Sequence, residues 1–195
     1  MAAAQSAMQA HLRPGPPPTI KGIFVNSHIH AVRRRCGPEG LARLEAAMGG
    51  PLDYGDFDDV PIRDEVRLIE AANDILSEAP VPPEARAFEG GRLHFRNFKG
   101  TPIARMMFAI FPRNYRYLIL HTPSIAERVF KGVGFEARET GPREIEVVME
   151  NNDYPLDHFR GLFQEWMDDF GYRGLVEGRQ SGPARYTYVM RWTDP

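Results

Sequence analysis

His28 and His30 are the first residues along this chain that could act together, because two imidazoles two positions apart can begin a metal site. That spacing puts both on one face only in a strand. Val25, Ile29, Val32 and Cys36 recur at helical spacing instead, and on a helix the two imidazoles point in different directions, so no shared metal is expected. Cys36, the single cysteine, continues that apolar stripe and reads as a small core residue; a reactive thiol would need exposure and a stabilised thiolate. Asp56, Asp58 and Asp59 lack the regular oxygen spacing and terminal glutamate of a calcium loop, and they read as capping charges before Pro61. Asp157 and His158 could form an acid/base pair, but adjacency on a helix directs them apart, so both are expected to be exposed opposite an apolar face. His121 precedes Thr122-Pro123, where a helix-flanking imidazole with a hydrogen-bond partner and a ligand-contacting one are both open readings. The Met106 to Phe111 stripe serves equally as core or as the wall of an apolar pocket, with Ser124 and Asn151 as polar contacts. The expected ligand-binding set is Phe108, Phe111, His121, Ser124, Met149 and Asn151, with no catalytic or metal-ligating residue.

Other chemistries find no support. There is no Gly-x-Ser-x-Gly elbow, phosphate-binding glycine loop, dinucleotide fingerprint or His-Glu-x-x-His helix, so no enzymatic activity is expected. A net charge of -2 gives no electrostatic reason to expect nucleic acid or an anionic membrane as partner. A lone cysteine permits no internal disulfide and no cysteine cluster for zinc. The first eighteen residues lack a basic start followed by an apolar run, so a cytoplasmic location is expected. Their prolines favour an extended arm.

The elements that must position these residues are clearest from Glu144 onward. E-I-E-V-V-M-E (Glu144 to Glu150) predicts a strand with one buried face. Asp153 and Pro155 predict the start of a helix whose bulky face is Leu156, Phe159, Leu162, Phe163, Trp166, Met167 and Phe170, with Gly171 as a left-handed cap. Leu175 to Arg179 and Arg185 to Trp192 predict a hairpin around Gln180-Ser181-Gly182-Pro183. The amino-terminal half reads as helices: one ended by Gly37-Pro38, Glu39 to Met48 closed by Gly49-Gly50-Pro51, and Ile62 to Leu76 stopped before Pro80. A short piece follows before Gly90-Gly91, Arg92 to Phe98 is ambiguous, and further helices open at Thr101-Pro102 and Thr122-Pro123. With 43% hydrophobic residues in 195, one domain is expected over 19–195 behind an arm of 1–18. Its helical subdomain spans about 19–132 and its sheet-rich subdomain about 133–195.

Lys21-Gly22-Ile23-Phe24-Val25, D-E-V-R-L-I (Asp64 to Ile69), Lys131-Gly132 and F-R-G-L-F-Q-E-W (Phe159 to Trp166) resemble an H-NOX domain, the heme-nitric oxide/oxygen binding fold. Residues 21–192 more closely resemble a myxobacterial family of uncharacterised paralogues. The resemblance implies an α+β architecture in which a helical amino-terminal subdomain and a carboxyl-terminal antiparallel sheet with a packed helix enclose a ligand space. Where H-NOX domains carry Tyr-x-Ser-x-Arg to hold heme propionates, this chain has Met149-x-Asn151-x-Asp153, which exchanges a guanidinium for a carboxylate. The axial-histidine position falls on Pro123 or Ser124, with His121 two or three residues away. The resulting expectation is a non-enzymatic cytoplasmic sensor or signalling adaptor that binds a small apolar ligand or a protein partner, with no cofactor. The alternative is a heme-based gas sensor with His121 as axial ligand.

Overall fold

The computed structural model describes residues 16–110 and 114–193, excepting the side chains of Ile103, Met107 and Ile110. The expected arm lies outside the described residues as far as position 15, and so does Phe111. The order is β1 (Thr19–Lys21), α1 (Gly22–Met48), β2 (Asp59–Pro61), α2 (Ile62–Leu76), α3 (Arg86–Lys99), α4 (Pro102–Ile110), α5 (Tyr115–Leu120), α6 (Thr122–Val129), β3 (Phe130–Lys131), β4 (Gly134–Gly141), β5 (Glu144–Glu150), α7 (Leu156–Asp169), β6 (Arg173–Gly182) and β7 (Arg185–Thr193). The architecture is α+β, with the helices amino-terminal and a sheet and packed helix carboxyl-terminal, as the periodicities require.

β4, β5, β7 and β6 form an antiparallel sheet in that order. Ile145, Val147 and Met149 alternate on the buried face of β5, beside Tyr188, Met190 and Trp192 of β7. Phe159, Leu162, Phe163 and Met167 of α7 complete this core. Gly171 takes the left-handed conformation at φ 81°, ending the helix where a Cβ would be strained. Asp153 does not cap α7, whose N-terminus has no side-chain cap among the described residues. Its carboxylate instead accepts a hydrogen bond from Arg63 at 3.0 Å, tying the helical half to the sheet half.

Three features depart from the expected elements. A three-stranded antiparallel sheet, β2-β1-β3, joins residues distant in sequence. Its strands have only two or three residues each, too few for a two-residue period to show. Asp59 ties it together by binding Lys21 at 2.7 Å and Lys131 at 3.3 Å. The neighbouring carboxylates also work within the loop: Asp58 accepts from the Gly55 amide at 2.7 Å and Asp56 from Asn26 at 2.8 Å. Second, α1 resumes directly after Gly37, whose φ of 66° and ψ of -161° break the helical path, so the two expected helices form one kinked element.

Third, α3 runs through Gly90-Gly91 instead of breaking there. The glycines serve packing. A Cβ on Gly91 would lie 1.8 Å from the His158 carbonyl oxygen, and one on Gly161 would lie 1.9 Å from that of Phe88, so α3 and α7 touch backbone to backbone. Beside this contact Arg92 pairs with Glu165 at 2.7 Å, Arg96 with Glu165 at 2.9 Å, and Lys99 with Asp169.

Candidate functional site: an apolar cavity beside a buried polar cluster

An apolar cavity of about 80 Å³ lies between the helical half and α7. Phe95 and Phe98 of α3 face Leu162, Phe163 and Trp166 of α7 across it, while Phe108, Leu118 and Phe135 close other sides. On α6 the wall residues are Thr122, Ile125, Ala126 and Val129, a single helical stripe. Edge-to-face contacts fix the aromatic wall: Phe95 to Trp166 at 5.5 Å between centroids, Phe95 to Phe108 at 6.1 Å, and Phe163 to Trp166 at 5.9 Å. The Trp166 Nε1 donor has no hydrogen-bond partner among the described residues. Polar character on the wall is otherwise confined to His94 and Thr122, and the Thr122 hydroxyl donates to the Ile119 carbonyl at 2.7 Å.

His94 belongs equally to a buried polar cluster behind that wall. His28 from α1, Glu65 from α2, His94 and Asn97 from α3, His158 from α7 and Tyr154 from the loop before α7 are all buried. Their helices carry them inward because each occupies an apolar stripe: Glu65 stands three residues after Ile62 and four before Ile69, both of which are buried. The glycine contact between α3 and α7 brings His94 Nδ1 to 3.2 Å from His158 Nε2. Asn97 holds His28 Nδ1 at 3.1 Å. The Tyr154 hydroxyl donates to Glu65 Oε2. His28 Nε2 and His94 Nε2 approach the other oxygen, Glu65 Oε1, at 3.7 and 3.9 Å, too far for hydrogen bonds.

Burial dominates the electrostatics of this group. It lowers His28 to about 3 and His94 to about 4, the latter despite the opposing pull of Glu65, and it holds His158 well below the usual histidine value. It raises the Glu65 carboxyl above its ordinary range, and raises the Tyr154 phenol strongly, with Glu65 adding to that shift. The imidazoles are therefore neutral donors at neutral pH. His28, His94 and Glu65 each present one ligand atom, and these atoms lie within 4.8 Å of one another, a spacing that could hold a metal ion.

Of the residues expected to bind ligand, Phe108 lines the cavity, and Phe111 lies outside the described residues. The others are elsewhere. His121 sits between α5 and α6 and stacks on Tyr117 at 3.9 Å between centroids, with Nδ1 2.7 Å from the Tyr117 carbonyl. Ser124 is exposed. Met149 is buried on the sheet, with Asn152 Nδ2 near its sulfur at 3.7 Å. Asn151 adopts a positive φ of 53° and donates to the Gly132 carbonyl at 2.6 Å. His158 corrects the expected exposure opposite the apolar face, since it is buried in the cluster while Asp157 pairs with Arg160 at 2.6 Å. His28 is buried and His30 exposed, as two-apart residues on a helix must be. Sequence reasoning missed Glu65, His94 and Tyr154. The available signal was a glutamate at a core position of the α2 stripe.

The fold has the α+β arrangement of H-NOX domains. A variant H-NOX from T. Tengcongensis superposes with a TM-score of 0.64 at 17% identity, covering 90% of this chain and 99% of that one. An oxygen-binding H-NOX domain related to soluble guanylate cyclases gives 0.64 at 14%, covering 90% and 96%. The Fe(II) unliganded H-NOX protein from K. algicida gives 0.61 at 9%, covering 90% and 98%. At such identities the likeness is one of fold. The chain itself belongs to the family described as "Protein of unknown function (DUF2378)", which matches residues 16–193. No curated protein matches it in sequence.

The residues present do not fit the heme that this fold implies. The α6 wall residues Thr122, Ile125, Ala126 and Val129 offer no axial donor, and His121 is absent from the wall. Aromatic side chains leave about 80 Å³, far below the roughly 300 Å³ at which sites for larger organic ligands begin. Asp153, at the position implied for a propionate-binding guanidinium, is occupied by Arg63.

Proposed function

We propose that this chain is a non-enzymatic, cytoplasmic sensor module that takes a small apolar molecule of a few non-hydrogen atoms into the cavity between α3, α6 and α7. The observation that carries this reading is the cavity itself: an apolar space walled by Phe95, Phe98, Phe108, Ala126, Phe163 and Trp166 between the amino-terminal helices and α7. Such a space is a natural ligand position because filling it changes how the halves pack against each other. Its volume of about 80 Å³ is near half that of an engineered apolar cavity of about 150 Å³ that holds benzene or xenon, so a smaller guest is favoured. A protein-docking role draws less support, since among the described residues the exposed large apolar side chains, Phe57, Met106, Tyr117 and Leu175, are scattered along the chain.

Xenon is a suitable probe of the cavity. Under xenon pressure, the methyl resonances of Leu118, Ile125, Val129 and Leu162 are expected to shift together and saturably, and Ala126→Leu, which fills the space, is expected to abolish the response. Unshifted methyl resonances in the wild-type protein would overturn the reading.

A further inference from the structure

The buried cluster behind the cavity is arranged as though an ion belonged at its centre. Glu65 Oε1 and His28 Nε2 are both buried in fully enclosed side chains, and neither has a hydrogen-bond partner among the described residues. Buried polar atoms are ordinarily satisfied, and two facing each other at 3.7 Å without bonding need an explanation. His94 Nε2 faces the same carboxylate oxygen at 3.9 Å. Bonds of about 2.0–2.2 Å from nitrogen and oxygen to zinc place neighbouring ligand atoms roughly 3.3–3.5 Å apart in a tetrahedral site. The two gaps to Glu65 Oε1 close with shifts of a few tenths of an ångström, and the two imidazole nitrogens lie within 4.8 Å of each other.

The remaining atoms of these side chains are held from outside. His94 Nδ1 is bonded to His158 Nε2, His28 Nδ1 to the Asn97 side-chain amide, and Glu65 Oε2 to the Tyr154 hydroxyl. This is the division of labour of a metal site, in which outer partners fix the tautomer and ring orientation while the inner atoms stay open. With Nε2 of both histidines turned to a cation, each Nδ1 carries its proton outward: His94 donates to His158, and His28 donates to Asn97 Oδ1 when that amide is turned accordingly.

We propose that His28 Nε2, His94 Nε2 and Glu65 Oε1 bind one divalent first-row transition-metal ion, zinc or ferrous iron, and leave at least one coordination position for water or a small ligand. Two imidazoles and a carboxylate suit both ions. The three ligands come from three different helices, so the ion would pin α1, α2 and α3 together. His94 stands in the wall of both the site and the apolar cavity, yet metal binding does not depend on the cavity's holding a guest.

The test uses the tag-free full chain, produced with zinc or, anaerobically, with ferrous iron in the medium, and also refolded with cobalt after chelation because the cluster is enclosed. About one ion per chain is expected. Zinc-loaded wild-type protein is expected to show X-ray absorption from nitrogen and oxygen ligands only, including two imidazoles, at about 2.0–2.1 Å. Tyr154→Phe keeps the ring and removes only the hydroxyl that holds Glu65; it is expected to weaken binding roughly 10- to 100-fold with an unchanged circular dichroism spectrum. His30→Ala is expected to bind as wild type. Folded wild-type protein that takes up no stoichiometric metal overturns the proposal, as does a shell containing sulfur or fewer than two imidazoles. Those wild-type readouts decide the matter even if a substituted chain fails to fold, and they are separate from the xenon experiment.

Discussion

At the scale of single residues, the unusual feature is the concentration of neutral, enclosed imidazoles. His28 and His94 are held near about 3 and 4, and His158 well below its usual value, so the folded chain keeps all three unprotonated through the mildly acidic range. An unfolded imidazole takes a proton below about pH 6.5. As pH falls from there toward 4 the unfolded state therefore binds more protons than the folded state, and stability is lost. Glu65 has the opposite sign: its raised carboxyl contributes stability that is fully present below its ordinary value and lost as pH rises. Three imidazoles against one carboxyl leave a net acid-side loss. Chemical denaturation of the metal-free protein, with chelator present, is expected to show a drop of about 3 kcal/mol between pH 6.5 and pH 5. Stability that is flat or rising over that interval would contradict the enclosed neutral cluster.

At the scale of elements, the crossing of α3 and α7 organises both the cavity and the cluster. Glycines at 91 and 161 let the two backbones meet, and that approach sets the His94 to His158 bond and the position of Trp166 against Phe95. Gly161→Ala puts a Cβ 1.9 Å from the Phe88 carbonyl oxygen, so the helices must separate. The expected cost is about 3 kcal/mol, at the upper end for overpacking a tight contact, because the obstructing atom is backbone and cannot rotate away. Thermal and urea unfolding measure it directly. Gly50→Ala, at a position where a Cβ meets nothing within 4 Å, is the control, and equal stability of the two variants would show that the close approach is not needed.

At the scale of the whole molecule, the chain has an H-NOX-like fold in which the space between the amino-terminal helices and α7 is packed with aromatic rings. No described helix is long and apolar enough to cross a membrane. To admit a macrocycle, Phe95, Phe98, Phe108 and Trp166 would have to withdraw together, exposing apolar surface that their packing now buries. Protein purified with heme supplied is therefore expected to show no stoichiometric Soret band, with or without His121→Ala. A stoichiometric band that His121→Ala abolishes would overturn this expectation and restore His121 to the pocket.

Much of the scaffold was determined by the sequence alone, because its signals are local. The alternation in β5, the bulky stripe of α7, Gly171 as its cap and the hairpin of β6 and β7 all follow from periods and turn residues within a few positions. The three-stranded sheet was illegible, since strands of two or three residues have no period and are defined only by distant partners. The cavity was legible in part: Phe108 belongs to it, while Thr122 and Ala126 replace His121 and Ser124 because helical rotation at the start of α6 decides which side chains face inward. The polar cluster was decided by tertiary structure. His28 and Asn97 are 69 residues apart, and His94 and His158 are 64 apart. A histidine or glutamate in an apolar stripe is read as a surface residue until the facing helices are known, because only their approach removes water and supplies the partners that make its burial tolerable.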